Sequence, residues 1–214
     1  MNNRLRAFVI LIGTLAVAVV FTFPLWRPFI SRTAVNNVAF PGLSADQSQA
    51  YLRLSDDQQQ LFRDMLKATP SMAVAMARAA TSPDVVVATE EQGMPVLTNP
   101  SVIAGGTFTV IDALHKAEGT VTIYQLPDNS RLLRLEDFKV TNGPELHVYL
   151  VRNPKPREQK EVGNDYIDLG ALKGNVGSQN YPMPSEPDLN SYRGIIIYSV
   201  PYGVIFSSAE LRLS

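Results

Sequence analysis

The sequence of 214 residues contains no cysteine. That excludes disulfides, a thiolate nucleophile, an iron–sulfur cluster and a lipidated cysteine. Histidine is nearly as scarce, with only His115 and His147, so a histidine-rich metal site is not expected. Neither sign of charge is in surplus: 19 basic against 20 acidic residues leave a formal charge of −1. The basic excess of a nucleic-acid binder is missing, and no nucleic-acid partner is expected.

What the sequence does have is one long apolar run at its amino terminus. Residues 7–23 are uncharged and almost wholly apolar, and Trp26 follows them. Carried to Trp26, the run gives about 20 residues, or roughly 30 Å of helix, the thickness of a bilayer core. Trp26 sits where an interfacial aromatic belongs, and arginines flank both ends (Arg4 and Arg6, Arg27 and Arg32). The pattern predicts an uncleaved membrane anchor, with residues 1–27 forming a cytoplasmic tip and a single transmembrane helix. A cleaved signal peptide is the competing reading, but the run is long for one and no small-x-small cleavage site follows closely.

Residues 28–43 read as a linker. Ser44 and Gln47, then Ser55 and Gln58, each fit a capping box, in which serine caps a helix and glutamine reaches back. Leu54, Leu61, Phe62, Met65 and Leu66 recur at helical spacing. Thr69 reads as a further cap with Pro70 at the first helical position. Met72 and Met76 stand one turn apart; they suit a packed stripe better than a heme or copper site. Residues 44–80 are therefore expected to form a small helical region, and residues 81–104, without helical period, a linker.

From residue 105 the texture becomes β. Phe108 with Val110, Val121 with Ile123, and Leu146 with Val148 and Leu150 should each share a face. Turn chemistry is placed at Glu118-Gly119, at 127–129 and at Asn142-Gly143-Pro144. About eight short strands without intervening helices predict an antiparallel β-sandwich or barrel-like domain over 105–214, making the chain mainly β.

The glycine-rich stretch 168–184 ("DLGALKGNVGSQNYPMP") poses the question of a phosphate loop. A phosphate loop needs lysine after its last glycine, then serine or threonine and a helix. Here Lys173 precedes Gly174, no hydroxyl residue follows the lysine, and no helical pattern comes next. The expected role is a compact structural or ligand-presenting loop, in which Asn175, Gln179 and Asn180 tie up backbone groups. Glu136 and Asp137 are adjacent in the chain and should diverge, so they form no ready acid/base pair. Tyr149, Tyr181, Tyr192, Tyr198 and Tyr202 could line a groove or carry electrons, although core-edge packing explains most of them.

Several of these pieces together resemble one family. Leu135, Phe138, Gly143-Pro144, the "HVYL" strand, Leu169-Gly170, Leu172-Lys173-Gly174, Gly177, Asn180-Tyr181 and the terminal "VIFSSAEL" occur in the order and spacing of the DM13 (Skeletor-type, electron-transfer) domain. The similarity covers roughly residues 105–214. It implies a β-sandwich-like extracytoplasmic module and a redox role, through analogy with cytochrome-type domains and a cysteine on the penultimate strand. In this sequence Ser199 occupies that cysteine position, which rules out thiol chemistry there. By alternation Ser199 shares a face with Ile195 and Ile197, as a small, buried, hydrogen-bonded residue. No G-x-S-x-G elbow surrounds it. His147 should point away from the core of Leu146 and Val148; it could ligate heme only with Met183 or His115 opposite.

The expectation is a non-catalytic, membrane-anchored binding module displayed outside the cell membrane, with no cofactor. Its partners would be the membrane and an unknown protein or small molecule. The candidate ligand-presenting or structural residues are Gly143, Pro144, Lys173, Gly174, Asn175, Gly177, Asn180 and Tyr181. The alternative is an electron-transfer protein with a heme or other redox centre, as the resemblance implies.

Overall fold

The computed structural model describes residues 40–214 except 94 and 96–98. The anchor expected over residues 7–26 lies outside the described residues. Among the described residues no helix is long and apolar enough to cross a membrane.

Both capping boxes form. Ser44 Oγ accepts from the Gln47 amide and the Gln47 side chain accepts from the Ser44 amide, which starts α1 (Ala45–Leu52). Ser55 and Gln58 do the same for α2 (Asp56–Ala68). Thr69 behaves differently from expectation: it ends α2 and precedes α3 (Pro70–Ala80) without capping it. Its hydroxyl instead donates back to the Met65 carbonyl, 3.4 Å away. Phe40, Tyr51 and Phe62 pack ring against ring at 5.0 to 6.0 Å. Met76 is buried among them and Met72 packs alongside, as a stripe of core filling.

Nine strands follow among the described residues: β1 (Ser101–Thr109), β2 (Ala117–Gln125), β3 (Arg131–Val140), β4 (Leu146–Val151), β5 (Tyr166–Ala171), β6 (Gln179–Met183), β7 (Gly194–Ser199), β8 (Val204–Glu210) and β9 (Arg212–Leu213). All of the pairings are antiparallel, in the order β5-β4-β7-β8-β1-β2-β3-β6, with β9 beside β1. The two end strands, β5 and β6, are consecutive in the chain, so the sheet curls into a nearly closed barrel. Strand β1 starts four residues inside the stretch read as linker.

Alternation places Val121, Ile123, Leu146, Val148 and Leu150 inward, as expected, with Leu133, Leu135, Phe138, Ile195, Ile197 and Phe206. The helices share this core, and Gln58 Nε2 donates to the Ala113 carbonyl at 3.1 Å, so α1–α3 cap the barrel. Two details depart from the sequence reading. Val110 lies beyond the end of β1 and is exposed, unlike buried Phe108, because the face ends with the strand. Glu118-Gly119 is no turn but lies within β2, at a bulge opposite β3. The turn at 127–129 forms, with Asn129 at φ 65° and the Leu126 amide bonded to the Ser130 carbonyl.

Candidate functional site

The glycine-rich loop joins β5 to β6 and closes the gap in the barrel. Gln179 is fully buried there: its Oε1 accepts from the Lys173 amide at 3.0 Å and the Tyr181 hydroxyl at 2.7 Å, and its Nε2 donates to the Gly174 carbonyl. A strand follows the loop, not a helix. Tyr181 is buried, and burial raises its phenol well above the ordinary tyrosine range.

The loop is covered by a strap, residues 83–93, that includes the short helix α4 (Thr89–Gln92). Val86 forms a parallel bridge with Val176, and the Val87 amide donates to the Val176 carbonyl at 2.9 Å. Asn175 Oδ1 accepts from the Val85 amide at 2.6 Å, while its Nδ2 donates to Asp84 at 2.7 Å. Asn180 Nδ2 donates to the carbonyls of Glu91 and Gly93. Lys173 forms an ion pair with Glu91 and lies 5.6 Å over the Tyr181 ring.

Close approach makes the loop glycines necessary. A Cβ on Gly174 would stand 2.5 Å from the Val85 carbonyl oxygen, and Gly177 has φ +112°. Gly143 serves a separate contact: a Cβ there would collide with the Phe206 ring.

Sequence reasoning missed Arg134 and Glu91. Arg134 is buried on the outer face of β3, where its guanidinium meets Glu136 at 2.9 Å, Asn180 Oδ1 at 3.0 Å and the Gln92 carbonyl at 3.1 Å. A lone arginine between leucines in a β pattern was its signal. Glu91 carried none.

Ser199 is where it was expected, fully buried at the end of β7. Its hydroxyl donates to the Pro144 carbonyl at 2.6 Å. His147 stands on the opposite, outer face of β4, with Nδ1 2.8 Å from Asp168 Oδ2. His115 is buried edge-on to Phe206, with Nδ1 2.8 Å from Asp112. Met183 lies in the barrel core. Neither His115 nor Met183 therefore lies opposite His147, and a heme pair between them does not fit. The barrel interior is filled by large side chains such as Phe138, Phe206 and Leu133. Among the described residues no cluster of three or more acidic residues and histidines could hold a metal ion.

The outer face of β4, β5 and β7 carries tyrosines. Tyr149 stacks on Tyr166 at 4.6 Å with the rings 7° apart, and meets Tyr198 at 5.1 Å. Val162 of α5 (Gln159–Val162) covers part of this cluster. Tyr166 is exposed, and beside it a cleft of about 550 Å³ is lined by Gln159, Lys160, Asn164 and Tyr198. Burial, then the Asp168 carboxylate, push the Tyr149 phenol up to about 12. Tyr192 stands apart, bonded to Asp165 with Arg152 over its ring at 4.5 Å.

A family model described as electron transfer DM13 matches residues 108–211. No curated protein and no solved structure matches the chain.

Proposed function

Since residues 108–211 are a DM13 domain, we propose that this one works as a non-catalytic binding module for polypeptide, tethered by residues 7–26 outside the cell membrane. The observation that carries this reading is the use of the motif loop. Lys173, Asn175 and Asn180 spend their polar groups on a segment of polypeptide, residues 83–93, that lies outside the matched domain. The family's cysteine position adds support. Ser199 has no thiol, and its hydroxyl is committed to the Pro144 carbonyl. Both histidines are paired with aspartates on different sides of the sheet, so among the described residues they do not converge on one nucleophile.

The experiment is photo-crosslinking from a photoreactive residue at Ala171, an exposed position beside the loop, in the full chain in its native membrane. The expected result is a discrete adduct with a second protein, lost when the membranes are first washed free of peripheral proteins. Irradiation that yields only the uncoupled chain contradicts the reading.

A second reading, electron transfer, is favoured by the stack of Tyr149, Tyr166 and Tyr198, which runs from the exposed face into the cluster with the His147–Asp168 pair alongside. Among the described residues no group of three or more histidines and carboxylates could hold a metal ion, so this reading requires a centre held by fewer ligands or supplied by a partner.

A further inference from the structure

Residues 83–93 are held in an unusual way for a covering segment. Between residues 82 and 93 only Val87 is buried, whereas Val85 and Val86 are 57 % and 62 % exposed. One buried side chain supplies little hydrophobic anchoring. The strap is fixed instead by polar contacts to its backbone. The parallel bridge at Val176 contributes strand-like bonds, Asn175 takes the Val85 amide, Asn180 takes the carbonyls of Glu91 and Gly93, and Arg134 takes those of Gln92 and Gly93. Backbone readout of this kind tolerates many sequences, as in strand addition to a sheet edge.

Three side chains of the strap are read specifically. Val87 lies against Gly174 and Gly177, where any larger residue in the loop would fill its place. Asp84 meets Asn175, and Glu91 meets Lys173. Every residue that grips the strap lies within the matched family region, and the strap lies outside it.

We propose that this groove is a peptide-binding site, filled in cis by the strap and open in trans, once the strap leaves, to an acidic peptide that takes the strap's form, non-helical to Ala88 and then one helical turn. The ligand it fits carries a small β-branched residue with a carboxylate three positions before it and another four positions after it. The proposal rests on the binding-module reading and deepens it. A segment with few buried apolar contacts belongs to the part of a fold that opens locally. While closed, the strap competes at the high effective concentration of a tethered ligand, so a free peptide binds the unaltered chain weakly.

The test uses the detergent-purified full chain and a fluorescent peptide of residues 83–93, followed by anisotropy. Glu91→Lys sets two lysines against each other and opens the strap. That variant is expected to bind the peptide saturably, about tenfold or more tighter than the unaltered chain does. Glu91→Lys combined with Lys173→Glu restores the pair in cis and should return binding to the unaltered level or below it, because the free peptide's own Glu91 then meets a like charge. A peptide carrying Glu91→Lys should bind the open variant several-fold more weakly than the unaltered peptide does. If Glu91→Lys fails to unfold cooperatively, Glu91→Gln takes its place with the same expected order. Equal binding by all of the folded variants, or by none, overturns the proposal. An adduct from Ala171 alongside a failed peptide titration removes the groove alone; loss of both removes the module reading as well.

Discussion

Arg134 and Asn180 face each other across β3 and β6 and both donate to the same acceptor, the Gly93 carbonyl, at 3.3 and 2.9 Å. Two strands of the domain thus converge on the end of a segment that arrives from outside it. The arginine is the buried member, and its remaining N–H groups go to Glu136, Asn180 and the Gln92 carbonyl.

Arg134→Met keeps the aliphatic stem and removes those donors. Hydrogen bonds from charged groups contribute about 1.5–3 kcal/mol each, but solvent re-satisfies the strap carbonyls once they are exposed. The expected loss is about 2 kcal/mol in urea unfolding. Hydrogen exchange should accelerate first in residues 84–93, ahead of the barrel strands. Unchanged exchange in the strap would contradict its dependence on Arg134.

Three substitutions separate shape from charge in the loop. Gly174→Ala meets the Val85 carbonyl and should cost about 1–3 kcal/mol through overpacking. Gly177→Ala is strained by its positive φ and should cost about 1–3 kcal/mol. Lys173→Ala loses a partly exposed ion pair, worth about 0–1 kcal/mol after screening. Thermal unfolding gives the order, and ATP or GTP should shift none of the midpoints. A saturable nucleotide shift that vanishes in Lys173→Ala would bring back the phosphate-binding reading.

Asp112 supplies a pH dependence. Burial pushes its carboxyl up, but the His115 ring and the amides of His115 and Leu114 outweigh burial and hold it below the usual range. A depressed folded value means stability fully present above the unfolded value of about 3.9 and lost as pH falls through the folded value. Asp112→Asn should flatten that acid limb of the stability curve. An identical acid limb in the variant would show that other carboxylates carry it.

Ser199→Ala leaves the half-buried Pro144 carbonyl without its donor and is expected to cost about 0.5–1.5 kcal/mol. Ser199→Cys places a thiol in a site with no exposed surface. Its thiol should react with a thiol reagent only after unfolding. Rapid labelling of the folded variant would contradict this burial.

Much of the fold was legible because it rests on local chemistry. Ser44 with Gln47 and Ser55 with Gln58 announce their helices within four residues, and Leu146, Val148 and Leu150 announce a strand face by simple alternation. The loop glycines were legible as a loop, and Ser199 as a buried polar residue. The strap was not. Asn175 is 90 residues from its partner Val85, and only Val87 of the strap is buried, so no periodicity marks it. Strand β4 hid the tyrosine face for another reason. It is covered on both sides, so alternation separates His147 and Tyr149 from the core without saying that they too have packing partners.

The most direct test of the central claim is a spectroelectrochemical titration of the purified full chain, recorded from about −0.4 to +0.4 V, within the range that protein redox centres span. A binding module without a redox centre predicts no visible band and no reversible spectral change across the range. A band that bleaches and returns with potential, in amounts stoichiometric with the chain, would contradict it and establish electron transfer in its place.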